Sequence, residues 1–419
     1  MKYTDPNQLS LFPDYFGEDE NHLLVEGETE VGVKNYPIMD PESPFQFSRE
    51  ETFDIRDSFV NFYKELDTIQ DYFLERKKEK IVDIDHTKYM DSMFSDYTIE
   101  PKDMEFDIEV MNGTEFNPIV QIVTSLPLES QIGRQISLAI KERNSGKYVG
   151  FVRVASPVLT IKPRNNYFGE TLQATEVNRH MINGAIIVPV QPFGFNYLGG
   201  KLLAAIACSH KVRRMLKEKY GEKIEPCFFE TTSLYGDMKG VSQYDGMKPL
   251  IRYQDMTESD LFLFPTEEVY APIRTRMRHF YGKEEWRGNI IDPIPSGPKM
   301  REFNKAISIL KNHLKHYDED SYKEFLDFTK TSMKSKTKKR YYYSNFGFDN
   351  VKEHINSGGE IPLREGQNFH KHEIEYIFDW WKKKAQKRYE KLRVDGRLRN
   401  EIEVYTEESI NNNVVDMVR

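Results

Sequence analysis

Cysteine is almost missing from this chain: its 419 residues include two, Cys208 and Cys227. They stand far apart and no CxxC pair occurs, so neither a disulfide framework nor a cysteine zinc knot is supported, and a reducing setting fits. Long apolar runs are missing too. None approaches the ~18 residues that read as a membrane span, and no apolar stretch precedes a cleavage site near the first residues. The expected setting is cytoplasmic, with no membrane partner. Hydrophobic residues are scarce at 38% while charged residues reach 30%, which predicts that part of the length is tail or solvated helix.

The net charge of −8 is unevenly spread. Residues 1–50 hold 3 Lys or Arg against 11 Asp or Glu, so the remainder is neutral and carries local basic clusters. An acidic total therefore does not exclude a polyanionic partner, because the local field decides binding.

Proline and acidic residues without a sustained period predict a disordered acidic tail over 1–55. Residues 56–115 form a helical element. Its core is "DSFVNFYKELDTIQDYFLERKKEK", with apolar residues at helical spacing from Phe59 to Leu74. A mixed α/β core follows over 116–291. In it, "RQISLAIKERNSGKYVGFVRVASPVL" holds two strand-type runs around a turn at Asn144 and Gly146, a hairpin signal. Next come a strand from Ala185 to Val190, a glycine-bearing loop, a helix from about Gly200 to Tyr220, and a buried strand in "EPCFFETTSLYG". After "DPIPSGP", residues 299–419 read as a basic helical region with a frayed end.

The strand–loop–helix at 185–220 is the strongest chemical signal. Glycines at a helix N-terminus let backbone N–H groups approach an anion, and the helix dipole favours it. Gln191, Gly194, Gly199, Gly200 and Lys201 are the candidate binders of a phosphate-bearing ligand. The spacing is not GxGxxG, and a Walker A loop needs Ser or Thr where Leu202 stands. A tight strand-to-helix turn is the plainer reading.

A hairpin, a strand, a glycine loop, a helix and another strand, in that order, resemble the core of the Gcn5-related N-acetyltransferase superfamily. There the loop holds the pyrophosphate of an acyl-CoA. Gln191-Pro-Phe-Gly194 matches the first half of that loop's pattern, while the final glycine is replaced by Asn196. The runs "GFVRVASP", "PVQPFGFNYLGGKLLA", "SHKVRRMLKEKYG", "ETTSLYG" and "SQYDGMKPLIRY", within about residues 130–275, resemble the DruA-like family. That family is known from the Druantia anti-phage system and from phages and mobile elements, with a phage Mom-type base modifier as a distant relative. The resemblance implies an acetyltransferase-like core sheet with flanking helices. It also implies a protein acting on DNA in a host cytoplasm, either as an acyl-type base-modifying enzyme or as a non-catalytic binding module that keeps the fold. The cofactor stays open between acyl-CoA and another phosphate-bearing donor.

For acyl transfer, Tyr235 and Tyr244 are candidate proton donors, Glu230 and Asp245 candidate bases, and Asn196 and Ser233 candidate oxyanion or substrate donors. Salt-bridging and packed aromatics are the plainer readings. Cys208, Ser209 and His210 lie too close on one helix to form a nucleophile–base pair. His370, His372 and Glu373 fit a solvated helix start, and no metal site is expected. Lys338, Lys339, Arg340, Lys382, Lys383, Lys384, Lys387 and Arg388 suit phosphate neutralisation, and Tyr341, Tyr342, Tyr343, Trp380 and Trp381 either stack on bases or pack on the domain.

In the acidic tail, "QLSLF" coincides with the consensus by which bacterial proteins dock on the DNA-polymerase sliding clamp. Gln8 supplies a polar anchor while Leu9, Leu11 and Phe12 fill apolar pockets, and the peptide is short enough to order at modest cost.

Overall fold

The computed structural model describes residues 47–66, 69–128, 133–233, 244–271 and 299–411. Gln8, Leu9, Leu11 and Phe12 lie outside the described residues, as does Tyr235. In chain order the described helices include α1 (Arg49–Lys64), α2 (Ile69–Ile81), α3 (Gly113–Val123), α4 (Lys162–Phe168), α5 (Ala174–His180), α6 (Phe193–Tyr197), α7 (Gly199–Ala207), α8 (His210–Tyr220), α9 (Lys299–Tyr317), α10 (Glu319–Thr331), α11 (Val351–Asn356), α12 (Ile374–Val394) and α13 (Glu407–Asn411). The strands are β1 (Phe106–Val110), β2 (Gln135–Glu142), β3 (Lys147–Ala155), β4 (Met181–Pro189), β5 (Phe228–Ser233), β6 (Arg252–Phe262) and β7 (Lys334–Ser344). None of the described helices is long and apolar enough to cross a membrane.

The chain divides into two units, each made of two chain segments: Met1–Glu75 with Ser259–Thr337, and Arg76–Glu258 with Lys338–Arg419. Where described, the first is helical apart from the end of β6 and the start of β7, which fall within it. The tail expected to reach residue 55 gives way at Ser48, because a capping box starts α1 there: Ser48 Oγ accepts from Glu51 N and Glu51 Oε2 accepts from Ser48 N. The single helix expected from Asp57 onward is two, α1 and α2. Phe59, Phe62 and Tyr63 of α1 pack with Phe264, Phe303, Leu310 and Phe325, an aromatic-rich core.

The second unit holds a seven-stranded sheet in the order β1-β2-β3-β4-β5-β7-β6. β1 through β4 pair antiparallel, β4 and β5 pair parallel, and β5 and β7 pair antiparallel. The β2–β3 hairpin forms where the sequence placed it. Glu142 accepts from the backbone N–H groups of Asn144 and Ser145, and Gly146 supplies the left-handed φ of +66°. α3 covers one face of the sheet through Phe116, edge-on to Phe151, and α7 covers the other through Leu203, which lies over Gly150. α12 packs on α6 and α7, where the buried Trp381 donates to Tyr197 O at 2.9 Å.

Two expectations fail plainly. Residues 56–115 are not helical throughout, because β1 at Phe106–Val110 lies among them. Residues 299–419 are not helical throughout, because "KSKTKKRYYYS" is strand β7 inside the sheet. Tyr341, Tyr342 and Tyr343 are buried there rather than offered to bases.

Candidate functional site

The parallel β4–β5 ladder covers Met181↔Phe228, Ile182↔Phe229 and Asn183↔Glu230, and then stops while β4 continues to Pro189 and β5 to Ser233. A bulge helps to turn β4 away: Val154 faces Gly184 while Arg153 faces Ile186. The candidate residues gather around this parting of two strands.

Glu230 sits at the last rung. Arg164 of α4 places Nη1 3.0 and 3.3 Å from the two carboxylate oxygens, and Tyr341 of β7 donates to Oε2 at 2.7 Å. Glu230 and Arg164 are 3% and 0% exposed, so no substrate touches this carboxylate without displacing a buried partner. Burial and then the charge of Glu230 push the Tyr341 hydroxyl well above its ordinary pKa.

Asp245 lies elsewhere. Its carboxylate accepts from Tyr342 Oη at 3.2 Å and lies 3.6 Å from Arg340 Nη1, while its backbone oxygen accepts from Lys201 Nζ. Burial, and then Lys384, lower the Lys201 pKa. Tyr244 is buried edge-on to Tyr342 at 5.4 Å. Ser233 pairs with Arg340 across the ladder, and its buried Oγ has no hydrogen-bond partner among the described residues. Successive strand side chains alternate between faces. Tyr341 with Glu230 and Tyr342 with Asp245 therefore belong to opposite faces of the sheet, and the two candidate bases do not serve one reacting atom. The structure joins Ser233, Tyr244, Asp245, Arg340 and Lys201 on one face and leaves Glu230 on the other.

The glycine loop is filled by its own atoms. Gln191 Oε1 accepts from Phe195 N at 3.1 Å, and Gly194 N and Asn196 N donate to Val190 O and Pro192 O. A Cβ on Gly199 would stand 2.7 Å from the Phe193 ring and 2.9 Å from Pro189 Cβ, and one on Gly194 would stand 2.6 Å from Gln191 Nε2. These glycines thus permit the close turn of α6 onto the end of β4. Gly200 is half-buried in the first turn of α7. Asn196 is fully buried and donates to Arg399 O at 2.7 Å while accepting from Arg399 N at 3.2 Å, so it anchors the segment after α12.

That segment brings cations to the loop. Arg388 donates to Phe195 O at 2.6 Å, and the Arg388 and Arg399 guanidiniums lie 4.9 and 4.1 Å from the Phe195 ring centroid. Burial, and then Arg397 and Arg399, lower the Arg388 pKa. On α12, Lys383, Lys384 and Lys387 are exposed, as is Lys391, and no ion pair holds them among the described residues. Lys382 is tied to Glu105. Trp380 is half-buried under Lys384. On β7, Lys338 is exposed, Arg340 is engaged with Asp245, and burial pushes the Lys339 ammonium down to about 8.

Sequence reasoning missed Arg164, Arg397, Arg399 and Lys391. Arg164 gave no signal, whereas the other three sit in basic runs next to residues already singled out. Cys208 and His210 are buried, the thiol pushed up to about 12 and the imidazole down to about 4 by burial. His372, expected at a solvated helix start, is buried and bonds Cys208 O through Nδ1 at 3.0 Å. A separate cavity of about 760 Å³ is lined by Asn112, Asn117, Gln135, Ser137, Arg153 and Lys219 among others, none of them a candidate from the sequence.

Residues 61–245 match the family model described as Druantia protein DruA. A stretch of 106 residues is 24% identical to the Druantia protein DruA of Escherichia coli (strain UMEA 4076-1), which amounts to 25% of this chain and 26% of that protein. The chain thus spans about a quarter of the length of the curated relative it matches. No solved structure matches it. The chain is similar to DruA over the segment that carries β1 to β5, the glycine loop and Asp245.

Proposed function

We propose that this chain is a DNA-contacting protein of phage defence whose acetyltransferase-like core carries a cationic face. The observation that carries the reading is the row of Lys383, Lys384, Lys387 and Lys391 on α12 beside Arg388, Arg397 and Arg399. Lysines unclaimed by carboxylates are available to phosphate, and Arg388, whose pKa burial and then its neighbours Arg397 and Arg399 lower, gains from a polyanion. The similarity to DruA supports the defence role. In the same reading, Gln8, Leu9, Leu11 and Phe12 tether the chain to a sliding clamp. Titration of the full chain with duplex DNA at several salt concentrations tests the reading. Lys383→Ser, Lys384→Ser, Lys387→Ser and Lys391→Ser together should lower the slope of log affinity against log salt by about 0.9 for each phosphate that these lysines neutralise. An unchanged slope returns them to a solvated helix face.

A second reading, acyl-type modification of a DNA base, has its own support. The strand order, with a parallel β4–β5 pair that parts beyond Asn183 and Glu230, resembles the splayed strands where acetyltransferase folds react. Ser233, Tyr244, Asp245 and Lys201 are then the groups to vary. Incubating the full chain with DNA and acyl-CoA donors, followed by nucleoside mass spectrometry, separates the readings. A new nucleoside, lost in Asp245→Asn, favours the enzyme, and unmodified DNA favours the binding module.

A further inference from the structure

Three buried side chains meet where the parallel pair begins. His180 ends α5, Cys227 directly precedes β5, and His354 lies on α11. Cys227 N donates to His180 O at 2.9 Å, which sets the first two residues side by side just before the rung Met181↔Phe228. One donor atom from each of His180, Cys227 and His354 lies within 4.8 Å of the others. The residues are 0%, 0% and 2% exposed.

The two imidazoles stand edge to face, their centroids 4.8 Å apart. Each turns Nδ1 to a backbone carbonyl: His354 Nδ1 lies 2.6 Å from Ile361 O and His180 Nδ1 lies 3.4 Å from Glu225 O. A carbonyl only accepts, so the His354 ring proton belongs on Nδ1 and its lone pair on Nε2, whereas His180 faces an acceptor at each nitrogen and is free to leave Nε2 to a cation. Both Nε2 atoms are buried without a hydrogen-bond partner among the described residues, although Glu225 Oε2 stands 3.9 Å from that of His354. Glu176, one turn before His180 on α5, adds a third such atom: its Oε2 is buried, has no hydrogen-bond partner among the described residues and lies 3.3 Å from His180 Nε2.

Buried acceptors with nothing to accept from are costly. Converging ones ask for a cation. Two imidazole nitrogens, a sulfur and a carboxylate oxygen match the borderline-soft set that takes zinc in tetrahedral geometry, with bonds of about 2.0–2.3 Å. Backbone carbonyls on both Nδ1–H groups supply the outer contacts that orient metal-bound histidines. Gly359 closes the site at a φ of +88°, and its position for a Cβ is 3.4 and 3.5 Å from the His180 ring.

We propose that His180, Cys227, His354 and Glu176 bind one zinc ion in a closed structural site. On binding, the Cys227 thiol releases its proton to solvent and the sulfur lone pair forms the bond to the metal, with no change of redox state. The ion ties α5, the start of β5 and α11 together, at the end of the β4–β5 pair opposite to where the strands part.

The test uses the full chain expressed with zinc in the medium. Elemental analysis should return one zinc per chain. Chelation should lower the melting temperature by several degrees, and added zinc should restore it. Exchange for cobalt(II) should give a thiolate-to-cobalt charge-transfer band that persists in Cys208→Ser and disappears in Cys227→Ser. His354→Gln should lose most of the bound metal. Wild-type protein that holds no zinc and gives no such band overturns the site, and this result does not depend on any variant folding. Stoichiometric zinc retained by Cys227→Ser with His354→Gln also overturns it, because the metal then sits elsewhere.

Discussion

Glu230 and Arg164 form an ion pair sealed from solvent, 3.0 Å between Oε1 and Nη1, with α4 supplying the cation and β5 the anion. Breaking a pair of this kind leaves one charge buried alone. Arg164→Met should cost roughly 3–5 kcal/mol of unfolding free energy, read from urea titration. Glu230→Gln keeps an acceptor for Tyr341 but leaves the buried Arg164 guanidinium without its counter-charge, and should cost a comparable amount. If both variants melt like the wild type while a DNA-directed activity disappears, Glu230 is a working base and the ion pair is incidental.

Gly199 separates two views of the loop. Its missing Cβ leaves room for Phe193 and Pro189, so Gly199→Ala should destabilise the chain by roughly 1–3 kcal/mol through overpacking, with or without an acyl-CoA present. A variant of unchanged melting temperature that has lost a thermal response to a phosphate-bearing donor would restore the loop as an anion cradle.

Much of this region was legible in the sequence because its signals are local. "ERNSGK" specified the β2–β3 turn, and glycines after a β-branched run specified the strand-to-helix turn. What the loop's donors contact was not legible, since Asn196 is answered by Arg399 from far along the chain. β7 was hidden for a related reason. Its lysines carry no strand-type alternation, and it is a strand because β5 offers it a ladder from Phe229↔Ser344 to Ser233↔Arg340. The break between α7 and α8 comes from Ser209, whose hydroxyl caps Val212 N, a signal present in the sequence and overridden by the apolar period around it. The group of His180, Cys227 and His354 gives no sequence signal because three separate elements supply it.

Lys77 offers a pH prediction. Its side chain is fully buried, bonds Gln121 O and lies 5.2 Å from the Tyr405 ring centroid, and burial lowers its pKa to about 7. The unfolded chain, with a lysine near 10.5, holds more protons than the folded one above pH 7. Stability from this group therefore rises as pH climbs from 7 toward 9 and is lost on the way back. Lys77→Met should flatten that slope and raise stability at pH 7, since each unit of pKa depression is worth about 1.4 kcal/mol. Urea midpoints of both proteins at pH 7, 8 and 9 (roughly one pKa unit apart) decide it. Parallel profiles would mean that Lys77 is charged and solvated.

The clamp proposal has a direct reading. A synthetic peptide spanning "NQLSLFPDYF" should bind a bacterial sliding clamp with micromolar-class affinity, about −8 kcal/mol. Leu11→Ala with Phe12→Ala should abolish binding, each side chain being worth roughly 1.5–3 kcal/mol when buried. The same pair of changes in the full chain should leave its melting temperature unchanged. A lower melting temperature, with no peptide binding, would assign these residues to the chain's own core.

The order of strands also sets an order in time. β4 and β5 are both synthesised well before the other ladder partner of β5, Arg340 to Ser344. At roughly 5–20 residues per second, the intervening stretch takes on the order of 5–20 s to synthesise, and throughout it one edge of β5 stays unpaired. A nascent chain in that interval offers the open edge to any other chain that carries a spare strand, including the β7 of a finished copy. Slowing translation between residues 234 and 339 should therefore raise the yield of strand-exchanged dimers, whereas slowing it after β7 should leave that yield unaltered.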